Sequence, residues 1–363
     1  MQHLSLSRTQ LSSIYAGATL LGSFNLTILG NLVDRWSART YLTVLTVAVS
    51  GGLIFLSEAK GMISLFLAYF ILRAYGQMGF GLFATTYVSR LFHQSRGKAI
   101  SVLGIGRSSA EGILPNLGAI LAASFGAMVS MKIVAMTVVA YLVPFIFFIL
   151  PRLPKKIEDA PENSHNKNHH LNWSWKNTVL NNKRSFLLMI TLAFIPFSVT
   201  ALFFQQSTLA NERAWDVLDI AKGFWFYSAC LIVGNFTWGP LVDRFRAINL
   251  LPFVMIPLGL GLCSLIFIKS LYGYFLYMMC LGLSVSLSGM LRHTLYAELF
   301  GVMNLGRIKG MDGNILIIGT SLGPLLSGLF LDSGLSMILF LQFLLGLTLI
   351  NAILLKFLHY KFK

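Results

Sequence analysis

The sequence is short of charge. Only 11% of its 363 residues are Asp, Glu, Lys or Arg, against roughly 25% in soluble domains. With 56% apolar residues and a mean hydropathy of +0.72, that shortage excludes water as the main solvent of the fold. Acid is scarcer still: 13 carboxylates face 28 Lys and Arg, a formal net charge of +15. Cysteine is nearly absent. Cys230, Cys263 and Cys280 all lie inside apolar runs, and an odd number without paired spacing supports neither a disulfide framework nor a metal site. Also missing are a glycine-rich phosphate loop ending in Lys-Ser/Thr, a His-Glu-x-x-His pair and a Gly-x-Ser-x-Gly elbow. Nothing in the sequence therefore implies an enzyme, a cofactor or ATP-driven work within this chain.

What is present is a series of apolar runs. A bilayer core of about 30 Å needs about 20 mostly apolar residues per helix, and such stretches recur over 12–32, 41–58, 62–88, 99–122, 128–150, 186–207, 220–240, 248–268, 272–297, 310–331 and 335–357. The expected fold is an all-α integral membrane protein of about eleven transmembrane helices, with the lipid bilayer as its first partner. The opening Met1 to Arg8 is polar and lacks a basic region followed by a short apolar run, so insertion is expected to depend on the spans themselves.

The positive charge could suggest nucleic acid, but it lies in short loops between apolar runs rather than on one patch. Alternate loops collect Arg35, Arg39, Arg90, Arg96, Arg152, Lys155, Arg244 and Arg307, while the opposite loops keep mainly Arg8, Lys60, Arg213 and Lys269. That asymmetry orients the chain with the basic loops inside, and no nucleic-acid partner is implied.

The longest polar stretch, Arg152 to Arg184, divides the membrane part in two. His165, His169 and His170 within it lack an accompanying cysteine or well-spaced carboxylate, so the stretch reads as a linker rather than a metal site. Trp173 and Trp175 suit the headgroup level. The parts on either side repeat one another. Gly30-Asn31-Leu32-Val33-Asp34-Arg35 recurs as Gly239-Pro240-Leu241-Val242-Asp243-Arg244, and Pro115 maps onto Pro324, both at an offset of 209. Leu91-Phe92 recurs as Leu299-Phe300 at an offset of 208. The expected organisation is an N-terminal half over 1–151, a cytoplasmic linker over 152–184 and a C-terminal half over 185–363, with a cytoplasmic C-terminus. In this register 54 residues lead from Ser185 to Gly239, but only 29 precede Gly30. The partner of the 186–207 span is thus expected to be missing from a six-plus-six parent, through a late start, a fragment or natural shortening.

Gly30, Asp34, Arg35 and Arg39 follow the spacing G-x-x-x-D-R-x-x-x-R at the end of a span, and Gly239, Asp243 and Arg244 repeat its first part without the final basic residue. The pattern resembles the loop signature of the major facilitator superfamily. The resemblance implies a two-half helical bundle in which the carboxylate holds the cytoplasmic side closed. Asp34 would meet the start of the helix near Gly310, and Asp243 the start of the helix near Lys98. The motif glycines would permit close helix approach. Gly76, Gly79, Gly81, Phe92, Arg96, Gly97, Gly104, Gly106 and Pro115 further resemble the monocarboxylate and oxalate/formate branch, though the charged residues tied to carboxylate transport there have no match.

Ionisable groups deep in a span cost roughly 2.5–3.5 kcal/mol unless paired or hydrated, which singles out Arg73, Arg107 and Glu111. Counting about 1.5 Å per residue, Arg73 and Glu111 lie about 16 Å deep on successive antiparallel helices, and Gln77 and Arg107 near 22 Å. The sharp reading is a cluster of Arg73, Gln77, Arg107 and Glu111 in which Glu111 exchanges a proton or an anionic solute replaces it; the bland one is a fixed structural ion pair. Asn116 and Gln205 could line the same cavity or simply join helices. Arg292 and His293, about 30 Å from the outer end of their helix, read as side chains snorkelling to the interface.

Together these features point to a secondary active transporter of a small organic solute, anionic metabolites favoured, coupled to a proton or a counter-solute and placed in a bacterial inner membrane. The competing reading is a non-transporting sensor or an inactive remnant.

Overall fold

The computed structural model describes residues 6–92, 96–153, 183–300 and 305–362. Every long element is a helix: α1 (Arg8–Arg35), α2 (Ala38–Ser57), α3 (Met62–Leu91), α4 (Arg96–Phe125), α5 (Ala127–Arg152), α6 (Lys183–Phe204), the short α7 (Gln206–Arg213), α8 (Val217–Phe245), α9 (Ala247–Phe267), α10 (Leu271–Phe300), α11 (Leu305–Asp332) and α12 (Met337–Phe362). Helices are what a bilayer demands, because they satisfy backbone hydrogen bonds within one segment.

Among the described residues ten of these helices are long and apolar enough to cross a membrane. The chain is an integral membrane protein. The eleventh expected span, 99–122, is present as α4, and its 30 residues suffice in length. It falls short in apolarity because Arg107, Glu111 and Asn116 share its middle with serines and Pro115.

The turns are set by recognisable chemistry. The Ser37 hydroxyl accepts from the Thr40 amide at 3.1 Å to start α2, and the Asp216 carboxylate accepts from the Leu218 amide at 2.9 Å to start α8. The Glu298 carboxylate accepts from the Ala247 amide at 3.0 Å at the head of α9. Between α4 and α5, Gly126 turns the chain with a φ of 77°, which a residue with a Cβ tolerates poorly.

The described residues divide into two compact units. One comprises residue 6 and residues 14–92, 96–107 and 120–153, and so holds most of α1 to α5. Here α2 packs on α5 and α3, around Tyr41, Leu42, Leu45, Phe83 and Ile146. Rings stack from Tyr41 to Phe83 at 5.6 Å and on to Tyr87 at 5.1 Å. The other unit comprises 7–13, 108–119, 183–300 and 305–362. Here α10 lies along α8, α11 along α6, and α9 against α10 and α12. A Cβ on Gly282 of α10 would run into the Tyr227 carbonyl oxygen of α8, so this pair is drawn close by the missing side chain.

The motif glycines behave differently. A Cβ on Gly30 would meet nothing within 4 Å among the described residues, and one on Gly239 would make only an ordinary contact with Met290 at 3.6 Å. Close approach is therefore not what these two glycines provide in this structure. It occurs instead at Gly52 and Gly79, against Ile71 and Leu45.

Candidate functional site

Arg73 sits where α3 departs from α-helical winding. Residues Leu72–Gly79 form a π-helical turn inside the span, a wider winding often found at functional sites. With about 4.4 residues per turn, the π-helix brings positions i and i+4 onto one face, and the Arg73 guanidinium donates to the Gln77 side-chain carbonyl. Its Nε donates to the Thr19 hydroxyl of α1 at 3.0 Å, and the guanidinium lies over the Tyr15 ring at 4.7 Å. Among the described residues no carboxylate pairs with Arg73. Gln77 is exposed and Arg73 half-buried, so the group reaches the open side of its unit.

Glu111 belongs to the 108–119 stretch of α4, in the second unit. The Tyr227 hydroxyl of α8 donates to its carboxylate at 3.5 Å, the outer limit of a hydrogen bond. The backbone beside it is fixed more firmly: the Ser228 hydroxyl donates to the Ser108 carbonyl at 2.5 Å, and a Cβ on Gly112 would strike Ser228. Arg107 is exposed, one turn before Glu111 on the same helix. Arg73, Gln77 and Arg107 thus fall in the first unit and Glu111 in the second.

Asn116 spends its amide on the Gly112 carbonyl of its own helix at 2.9 Å, which is helix bracing. Gln205, almost wholly buried, donates to the Ser327 hydroxyl at 3.1 Å and accepts from Thr208, joining α6 to α11 within the second unit.

In the loop motif, Arg90 at the end of α3 donates to Asp34 at the end of α1, both largely exposed. Arg39 lies over the Phe147 ring at 4.7 Å and Arg244 over Phe245 at 5.4 Å, while Arg35 is exposed. The Asp243 side chain, the linker histidines and residues 154–182 lie outside the described residues. Among the described residues no group of three His, Cys, Asp or Glu could hold a metal ion.

Sequence reasoning misjudged Arg292. It does not snorkel: it is 8% exposed, and its guanidinium donates to the Leu192 carbonyl of α6. One turn on, the Tyr296 hydroxyl donates to the buried Asp312 carboxylate of α11 at 2.6 Å, and the charge of Asp312 acts on Arg292. The available signal was Asp312 itself, an acid just inside the 310–331 run, opposite a run containing Arg292 and Tyr296 four residues apart.

No curated protein matches the chain in sequence. In fold it is similar to a bacterial homolog of the human lysosomal transporter Spinster in an inward-facing, unoccupied conformation, with a TM-score of 0.76 at 15% identity over 99% of this chain and 91% of that one. It is also similar to a mutant of the nucleoside transporter NupG, with a TM-score of 0.73 at 16% identity over 98% of this chain and 90% of that one. At such identities the likeness establishes the fold alone. The sequence profile of the Major Facilitator Superfamily matches residues 1–225, well over half of the chain, and the chain belongs to the major facilitator superfamily.

Proposed function

We propose that this protein is a secondary active transporter that moves a small anionic organic solute by alternating access, its two repeated halves, 1–151 and 185–363, rocking about a midplane cavity. The observation that carries the reading is Arg73: a guanidinium in the middle of a membrane span, held by Thr19, Gln77 and Tyr15 and by no described carboxylate. An intramembrane cation is costly to place, and an anionic solute is the partner that repays it. Arg also offers a planar fork suited to a carboxylate. Glu111 supplies the proton step in this reading, with Arg107 one turn away on the same helix.

The Asp34 and Asp243 motifs act as closing contacts on the basic side, which is cytoplasmic by the loop asymmetry. The short loops favour a bacterial inner membrane, with the linker and C-terminus cytoplasmic.

The test is uptake of labelled monocarboxylates, dicarboxylates, amino acids and nucleosides into proteoliposomes, with and without an inward proton gradient. Uptake of an anion that depends on the gradient in the wild type, and loses that dependence in Glu111→Gln, supports the reading. Uptake of neutral or cationic solutes only, or no transport of any solute by a folded protein, refutes it and favours a sensor or remnant.

A further inference from the structure

The first unit contains two adjoining cavities at one end of its helices, where α1, α3 and α5 finish and α2 begins. One, of about 560 Å³, is lined by Asp34, Ser37, Arg39, Tyr41, Thr86 and Arg90 among others. The other, of about 570 Å³, has almost wholly apolar walls, including Leu42, Ala84, Val88, Leu103 and Leu142. They share Phe83, Tyr87, Leu91, Leu150 and Leu153, so a polar chamber opens beside a greasy one.

The polar chamber has an unmet demand for negative charge. Arg39 and Arg90 face the single carboxylate of Asp34, which Arg90 already engages. Arg39 rests on the Phe147 ring and has no carboxylate partner among the described residues. Tyr41, 1% exposed, lines the same chamber, and its hydroxyl has no hydrogen-bond partner among the described residues. Trp36, also in the lining, is the amphipathic ring expected at headgroup level.

We infer that this double cavity binds an anionic phospholipid of the surrounding bilayer, its phosphate between Arg39 and Arg90 and one acyl chain in the apolar chamber. Basic pockets between membrane helices on the inner side take anionic headgroups by this chemistry, and guanidinium–phosphate bonds are charge-assisted and directional. The chamber's net charge of one positive unit discriminates against phosphatidylcholine, whose own cation would meet the arginines. The apolar chamber discriminates against a free anion, which cannot fill it.

The test uses the purified full chain in detergent and native mass spectrometry, titrating dioleoyl phosphatidylglycerol, dioleoyl phosphatidylcholine and inorganic phosphate separately. Phosphatidylglycerol should be retained at least tenfold better than phosphatidylcholine, and phosphate should not displace it. Arg39→Gln with Arg90→Gln should weaken phosphatidylglycerol retention at least tenfold. Ala84→Phe, which fills the apolar chamber and leaves both arginines, should weaken it comparably, so the inference does not depend on one variant folding. Equal retention of the two lipids, displacement by phosphate, unchanged retention in both folded variants, or no lipid on the wild type because the chain's own linker fills the cavity would each overturn it.

Discussion

Replacing Arg73 with glutamine keeps a hydrogen-bonding side chain of moderate size and removes the charge. Two consequences separate the substrate role from a structural one. For stability, the variant loses the Nε bond to Thr19 at 3.0 Å and the guanidinium bond to Gln77, each of the kind worth about 1.5–3 kcal/mol for a charged donor. It also loses the stacking over Tyr15 at 4.7 Å, worth about 0.5–2 kcal/mol. Against these stands relief from holding a cation inside a span, about 2.5–3.5 kcal/mol on insertion scales. At the middle of these ranges the losses exceed the relief by about 3 kcal/mol, so the thermal midpoint in detergent should fall moderately. For transport, an anionic solute loses a charge-assisted partner worth about 1.5–3 kcal/mol, which is roughly ten- to more than a hundredfold in affinity. The assay is concentration-dependent uptake in proteoliposomes together with a melt of the same preparation. Arg73→Lys should be intermediate, since it restores charge without the fork. A variant that melts far below the wild type while its residual uptake keeps the wild-type KM would refute the reasoning and make Arg73 a structural brace.

Three other perturbations test the fold. Gly282→Ala should destabilise the second unit by about 1–3 kcal/mol through overpacking against the Tyr227 carbonyl, whereas Gly346→Ala, whose Cβ meets nothing within 4 Å among the described residues, should be neutral or slightly stabilising; paired melts decide it. Tyr296→Phe strips the buried Asp312 carboxylate of its 2.6 Å donor and should cost about 1.5–3 kcal/mol, read by denaturation in mixed micelles. Glu58, just beyond the end of α2, accepts from Lys132 Nζ at 2.5 Å, and this ammonium, bonded and close, holds the Glu58 carboxyl below its ordinary value. Because the folded value is the lower one, the pair's small contribution is present above the unfolded carboxylate range and lost as pH falls through the folded midpoint. A carboxyl NMR titration should show that midpoint rise in Lys132→Met; an unchanged midpoint would mean the pair does not persist.

Much of the architecture was legible because a bilayer reduces the choice of fold to runs of about 20 apolar residues. The repeat register was legible as well: Asp34 and Asp243 both fall in the last turn of their helices, and Pro115 and Pro324 both lie inside theirs. Three features were not legible. The π-helical winding at Leu72–Gly79 leaves no mark in an apolar pattern, because a span that is apolar all round has no amphipathic stripe for the wider winding to displace. Among the described residues a Cβ on Gly30 meets nothing within 4 Å, so the close approach its motif suggests is not made there. Arg292 was misplaced because depth was counted along α10 as if lipid ended where the apolar run did. At 30 residues α10 is about 45 Å long, well beyond a bilayer core, and at its far end Arg292 is buried by neighbouring helices rather than by lipid.

The same logic explains why α4 is the helix least suited to a membrane by composition. A span that only had to cross would carry no Arg107, Glu111 or Asn116, since each raises the cost of insertion. Asn116 recovers part of its cost by bonding its own helix at Gly112, and Gly112 lets α4 sit against Ser228 of α8. Glu111 accepts from the Tyr227 hydroxyl at 3.5 Å, at the long end of hydrogen-bond range. A hydrogen bond of that length is weak and readily exchanged, whereas a short buried one resists change. If the Tyr227–Glu111 contact belongs to a proton-exchange step, Tyr227→Phe should leave stability nearly unchanged but shift the pH dependence of uptake. If it is a brace, the same substitution should lower the melting temperature and leave the pH profile where it was.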